Sequence, residues 1–243
     1  MRAILPPDVE TRLVRDFFGD APGFFVDVGA NDPEIGSQTW HLEQAGWSGI
    51  LVEPQPDLAQ KLRQARNAKV FAVACSAPAN AGKSMPLHLA GPLSTLNERL
   101  MDVTRRAEAV IAVPVLTLDQ ILREAAAAPP IGFLSIDVEG HAHEVLQGLD
   151  LARWRPRLIL IEDHVMNLRV HRHLRSRGYR WIRRTGLNSW YVPAHAASPV
   201  GVFGRWQFFR KYYLGTPFRH VREILRRARA RMKRRRLPRQ AQD

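Results

Sequence analysis

The sequence has a single cysteine, Cys75, among 243 residues. One thiol excludes an intramolecular disulfide framework and any zinc site built on several cysteines. Long apolar runs are absent too, and no stretch approaches the roughly 18 residues that cross a bilayer as a helix. The N-terminus carries Asp8, Glu10, Arg12 and Arg15 where a secretory signal would be apolar, so the expected setting is the cytoplasm. Acids are scarce in one region only. Residues 201–243 hold 14 Lys and Arg against 2 acids, whereas the first 200 residues hold 22 against 21. The formal charge of +13 therefore belongs to a tail and says nothing about the fold of a nearly neutral body. With 45% hydrophobic residues, a chain of this length makes one cored domain with an extension. We divide it into an N-terminal helical segment (1–22), a main domain (23–200) and a basic extension (201–243), the last break lying at the composition change near Pro199–Gly204.

Along the body, short apolar runs alternate with helical periodicity. Asp8 caps a helix in which Val9, Leu13, Val14 and Phe17 recur at helical spacing. Strands are predicted at Phe24–Val28, Gly49–Val52, Val70–Ala74, Ile131–Ile136 and Leu158–Ile161. Helices are predicted at Ser37–Ala45, Asp57–Ala65, Leu118–Ala126, His141–Gln147 and Asn167–Arg177. Val113–Leu116 reads as a short strand or edge, after an irregular stretch over Ser76–Ala112. Tyr179–Ile182 and Ser189–Val192 flank the turn Thr185–Asn188 and read as an antiparallel hairpin at one edge. The expectation is an α/β fold with a mostly parallel sheet and helices on both faces.

Ligands of such sheets bind beyond the carboxyl ends of the strands. Asp27, Glu53, Asp137 and Glu162 all stand at such ends. Gly29 opens the first crossover and lets backbone approach a ligand closely. Glu53, 24 residues later, ends the next strand, where a carboxylate accepts hydrogen bonds from ribose hydroxyls and repels a 2′-phosphate. The loop Gly29-Ala30-Asn31-Asp32-Pro33-Glu34-Ile35-Gly36 lacks the second and third glycines of a pyrophosphate-binding turn, and it carries two acids. S-adenosylmethionine has no phosphate and a cationic sulfonium, so it suits this loop better than NAD does.

Several segments together resemble the FkbM-type methyltransferases. They are Phe25-Val26-Asp27-Val28-Gly29-Ala30-Asn31, Ser37 and Thr39, Gly46-Trp47-Ser48-Gly49-Ile50 leading to Val52-Glu53-Pro54, Thr117-Leu118-Asp119, Leu134-Ser135-Ile136-Asp137-Val138-Glu139-Gly140, and Val145-Leu146 with Gly148. The resemblance implies a class I methyltransferase Rossmann-like fold with a seven-stranded sheet, and S-adenosylmethionine-dependent O-methylation. It implies that Asp27, Gly29 and Asn31 line the methionine side of the donor and that Glu53 binds its ribose. Cys75 and Ser76 would lie near the adenine, although a buried small apolar role suits Cys75 better. One position departs from the family, in which a glutamate usually stands two residues after the glycine of Asp-Val-Glu-Gly. Here it is Ala142, which leaves open a slow, differently specific or altered enzyme.

Methyl transfer to oxygen needs a hydroxyl held in line with the sulfonium methyl and a base for its proton. Asp137 and Glu139 lead the candidates, followed by His141 and His164, with His143 and Glu162 nearby. A metal-assisted route would place Mg²⁺ between Asp137 and Glu162 or Asp163. In the tail, Trp206, Phe208, Phe209, Tyr212 and Tyr213 precede Phe218, Val221, Leu225, Ala228 and Met232 at helical spacing among arginines. Residues 205–236 therefore read as an amphipathic basic helix suited to an anionic membrane surface. A helix packed on the body or on a second copy of the chain is the alternative, and nucleic acid is the least favoured partner. The expected reaction is O-methylation of a sugar hydroxyl in a glycan or lipid-linked sugar at the cytoplasmic membrane face. The rival is a vestigial methyltransferase fold acting as a membrane- or partner-binding module.

Overall fold

The computed structural model describes residues 7–91, 94–96, 108–163, 168–197, 201–219, 221–222 and 224–225. At its centre, β1 (Phe24–Val28) runs parallel to β2 (Ser48–Val52) on one side and to β7 (Phe133–Ile136) on the other. β3 (Lys69–Phe71) extends the sheet beyond β2, and β8 (Leu158–Glu162) extends it beyond β7. The hairpin of β9 (Tyr179–Thr185) and β10 (Asn188–Pro193) completes seven strands in the order β3-β2-β1-β7-β8-β10-β9. β10 is antiparallel to both neighbours, which leaves β9 at the edge, as the expected hairpin requires.

The unbroken apolar character of these strands follows from burial on both faces. Val26, Ile50, Leu134 and Ile159 face one core, shared with α4 (Leu118–Glu124), α5 (Ala142–Gln147) and α7 (Arg169–Ser176). Phe25, Leu51, Phe133 and Leu160 face the other, shared with α1 (Pro7–Phe18), α2 (Trp40–Gln44) and α3 (Pro56–Ala65). Between α5 and β8, the short α6 (Leu151–Trp154) adds Leu151 and Trp154 to the first core. Glu10 of α1 accepts hydrogen bonds from Gln38, Thr185 and Asn188, pinning the N-terminal helix across the sheet.

Two expectations need correction. The predicted third strand, Val70–Ala74, divides: the chain leaves the main sheet after Phe71, and β4 (Ala74–Cys75) pairs with a different partner, β6 (Ala109–Leu116). The stretch expected to be irregular contains β5 (Ser84–Leu89), antiparallel to β6, so β4, β6 and β5 form a small second sheet. Met85, Leu87 and Leu89 alternate as a strand should, but Pro86 disguises the pattern. Proline is tolerated on an edge strand, and β5 is one.

The extension begins by packing on the body. α8 (Val202–Phe208) continues into a π-helical turn, Phe209–Leu214, and Phe208 lies between Trp181 at 5.2 Å and Tyr212 at 4.5 Å. Tyr212 is fully buried, and its hydroxyl donates to Asp163 Oδ2 at 2.6 Å. Among the described residues, no helix is long and apolar enough to cross a membrane. Ala228 and Met232 lie outside the described residues.

A buried ion pair fixes the first crossover. Arg66, at the end of α3, pairs with Glu43 of α2 and also donates to Pro33 O, Ser37 Oγ and Thr39 Oγ1. Glu43 in turn accepts from the backbone N–H groups of Asn67 and Ala68. Replacing Arg66 with Met strands the Glu43 carboxylate, and denaturant unfolding should show a loss of about 3–5 kcal/mol. Adding Glu43→Gln should restore most of that loss. An Arg66→Met protein as stable as wild type would show that the pair is not structural.

Candidate active site

The end of β1 and the end of β7 almost touch. Gly29 has φ +87°, and a Cβ there would lie 1.8 Å from the Asp137 carbonyl oxygen, so only glycine fits. The backbone N–H groups of Gly29 and Ala30 both bond to Val52 O, and that of Asp137 bonds to Val28 O. Three strand ends are thereby drawn together.

Above them lies a recess that Gly29, Asn31, Glu53, Asp137 and Glu139 share. Cys75 and Leu87 supply its apolar wall, and Ser94, Thr95 and Leu96 close another side. Thr95 Oγ1 donates to Glu139 O at 2.9 Å, which ties that wall to the β7 end.

Glu53 is buried, with one carboxylate oxygen accepting from Asn31 N at 3.0 Å and the other from Gln55 N at 2.9 Å. Asn31 adopts φ +52°, a left-handed conformation that asparagine tolerates, and this aims its N–H at Glu53. Burial raises the Glu53 pKa, and the two N–H bonds oppose that rise.

Asp137, Glu139 and Glu162 bring carboxylate oxygens within 4.8 Å of one another. Asp137 is the most exposed of the three and opens onto the recess, yet protein surrounds its other sides. Its pKa stands well above the ordinary carboxylate value, first through desolvation, then through the charge and hydrogen bond of Glu162 and the charges of Glu139 and Asp27. Glu139 has φ +44° and is followed by Gly140 at +85°, a sharp turn that returns its side chain to the cluster. Such a group satisfies itself by sharing a proton or by holding a hard cation. Asp163, the other expected metal ligand, is not in this cluster. Tyr212 takes its carboxylate and Arg184 its carbonyl.

Apart from Cys75, the remaining described candidates lie outside the recess. Asp27 sits beneath the loop, accepting from Thr39 Oγ1 at 2.8 Å, with its pKa raised by burial and lowered by Thr39, Ser135 and Arg66. Ser76 Oγ and His141 Nε2 bond to each other at 2.9 Å, and neither lines the recess. Burial lowers the His141 pKa against the opposing charge of Glu144. His143 packs edge-on to His173 of α7 and does not line the recess. Cys75 belongs to the core as well as to the recess wall, and burial pushes its thiol far up. Ala142 packs into the core at the start of α5. His164 lies outside the described residues.

Ser94-Thr95-Leu96, which the sequence offers as substrate contacts or simple turn-formers, do line the recess, whereas Arg66, Glu43 and Tyr212 were not singled out for the site from the sequence. The partners of these three lie 23 or more residues away, so no local spacing announces them.

The Methyltransferase FkbM domain model matches residues 27–181. The chain belongs to the FkbM methyltransferase family. No curated protein matches it. Among solved structures, it is similar to the FkbM methyltransferase of Methylobacillus flagellatus, with 14% identity over 71% of this chain and 44% of that one and a TM-score of 0.45. It thus spans less than half of that protein's length. It is also similar to precorrin-6y C5,15-methyltransferase of Geobacter metallireducens, with 10% identity over 79% of this chain and 90% of that one and a TM-score of 0.42. A third similar structure is the METTL16 methyltransferase domain, with 11% identity, coverage of 76% and 80%, and a TM-score of 0.39.

The close approach at Gly29 is directly testable. Gly29→Ala adds about 1–2 kcal/mol of left-handed strain, and its Cβ also forces β1 and β7 apart. Thermal unfolding should show a clear loss of stability, and an unchanged midpoint would refute the close contact.

Proposed function

We propose that this FkbM-family protein is an S-adenosylmethionine-dependent O-methyltransferase acting on a sugar hydroxyl. The observation that carries the proposal is the convergence of Gly29, Asn31, Glu53, Asp137 and Glu139 on one recess. The donor set suits the cofactor, since a buried carboxylate at the β2 end matches a ribose diol, and the acids around the recess match a sulfonium. When bound, S-adenosylmethionine supplies an electrophilic methyl group on sulfur.

The chain's own groups do the rest. Glu53 accepts the ribose hydroxyls while Asn31 and Gln55 hold it in place. Asp137 takes the acceptor hydroxyl's proton as the oxygen–methyl bond forms and the carbon–sulfur bond breaks. Glu139 and Glu162 keep the Asp137 pKa high, and a base closer to neutrality is a better proton acceptor. Sugars present adjacent hydroxyls, and neighbouring carboxylates bind such groups well. The same three acids would hold Mg²⁺, which lowers the pKa of a coordinated hydroxyl. Outward-facing Trp206, Phe209 and Tyr213 beside basic residues favour a lipid-linked acceptor at a membrane surface.

A second reading, a fold that binds donor without turnover, rests on Ala142. Calorimetric titration with S-adenosylmethionine, with NAD as control, and an acceptor screen separate the two. Donor binding with turnover supports the enzyme. Donor binding without turnover across glycans and glycolipids favours the second reading.

Glu53→Ala should weaken S-adenosylmethionine binding by at least about tenfold, since a hydrogen bond to a charged group contributes about 1.5–3 kcal/mol. Asp137→Asn should abolish turnover and leave donor affinity within about threefold, because Asp137 acts mainly in the transition state. Full activity in either variant would refute its assigned role.

The pH dependence has a definite sign. Asp137 works deprotonated, so the rate should fall as pH drops through its raised pKa. Glu162→Gln removes one cause of that rise and should move the acidic limb of the rate profile to lower pH. An upward shift would overturn the arrangement. Loss of activity in EDTA with recovery on adding Mg²⁺ would assign the cluster to a cation, whereas indifference to EDTA would leave Asp137 as a simple base.

A further inference from the structure

Beyond the candidate active site, α7, α8 and the start of β9 border an open recess of about 630 Å³. Arg175 comes from α7, Arg180 from β9 and Arg205 from α8, with His171 beside them and the rings of Trp181 and Phe208 behind. Among the described residues, no carboxylate lines this recess. Cations gathered without an acid repel one another and raise a positive potential in the concavity. Arg180 borders the recess only from the strand, because it pairs with Val192 on the opposite face of the sheet and its Nε and Nη2 donate there to Ala194 O at 3.3 Å and Ala196 O at 2.8 Å. His171 is kept neutral at physiological pH by burial and by the Arg175 and Arg172 charges, against an opposing Asp163. Trp181 is buried, and its indole N–H has no acceptor. A buried donor without a partner is unusual and needs an explanation.

The helix that supplies Arg205 also carries apolar side chains into solvent. Val202 is 87% exposed, Phe203 75% and Trp206 52%. The stripe continues through Phe209 and Tyr213, with successive rings 6.1 Å apart. Guanidinium groups match phosphate oxygens, and aromatic side chains suit the boundary between headgroups and acyl chains. A basic recess beside an aromatic stripe thus offers both halves of an anionic phospholipid a partner.

We propose that the recess is a lipid-phosphate site, in which Arg175 and Arg205 take the phosphate of an anionic bilayer lipid while the α8 aromatics enter the interface. It deepens the reading of a membrane-surface acceptor and rests on it only for the biological reason to be there. The occupant is a bilayer lipid rather than free phosphate, because the apolar stripe has no role with a soluble anion.

The test uses the full chain and sedimentation with phosphatidylcholine vesicles, with and without phosphatidylglycerol. Wild type should bind only the anionic vesicles. Arg175→Glu with Arg205→Glu should weaken that binding by at least about tenfold. Arg63→Glu with Arg153→Glu, an equal charge change on exposed residues outside the recess, should weaken it by less than about threefold. Equal losses in the two double variants would overturn the proposal, since net charge alone would then explain binding. Failure of the wild type to bind anionic vesicles would overturn it as well. So would binding of inorganic phosphate or of an RNA oligonucleotide that the recess variant loses while vesicle binding persists. Titration with S-adenosylmethionine runs in parallel and keeps the outcomes apart. Missing donor binding refutes the methyltransferase reading without touching the vesicle result, and intact donor binding in the recess variant shows that it remains folded.

Discussion

The organisation of the site depends on one steric constraint, the contact between Gly29 and the Asp137 carbonyl. Strands β1 and β7 are neighbours, so their carboxyl ends are close in any parallel sheet. The missing Cβ at Gly29 lets them close further, and it puts the crossover loop and the acidic turn on the same recess. Glu53 arrives by the same route, because Gly29 and Ala30 hang from the last carbonyl of β2. The edge proposed to bind the donor and the edge proposed to accept the proton are thus consequences of one backbone packing event.

Around that contact the protein manages negative charge in two ways. Beneath the loop, Asp27 is offset by hydroxyl donors and by Arg66, whose own charge is balanced by Glu43. This layer is closed and serves the loop's shape. Above it, the Asp137 carboxyl lies against Glu162, Glu139 and Asp27, whose charges raise its pKa beyond what burial does. Their mutual repulsion is retained, and a group whose proton affinity is raised by its neighbours is a useful acid–base device. The first layer makes the second possible, since a loop under strain from an unpaired buried charge would not hold Asn31 against Glu53.

Much of this was legible in the sequence wherever the signal was local. Gly29 after an apolar run, Glu53 after the next, and Asp-Val-Glu-Gly after a third are each written within a few residues, and the mostly parallel character of the sheet follows from strand–helix alternation. Long-range pairing was not legible. The bond between Ser76 and His141 spans 65 positions and holds both outside the recess, in which the family resemblance had put Ser76 and its place after a strand end had put His141. Glu139 replaces Asp163 in the acidic cluster because a positive φ at Glu139 bends its side chain back, a conformation that propensities disfavour. β4 was hidden in an apolar run that looked like one strand, and β5 behind Pro86, since register with a distant partner has no short-range signature.

The buried hydroxyl of Tyr212 gives the extension a status that its composition conceals. By charge it looks like an attachment that a different protein could wear. Yet Tyr212 bonds to Asp163, the residue after Glu162, and also meets Ser189 Oγ at 3.0 Å. Exchange of the segment for another basic sequence would leave a hole under the hairpin and release the end of β8. The extension is therefore not an interchangeable module, and a chimera would have to carry residues 201–214 across intact.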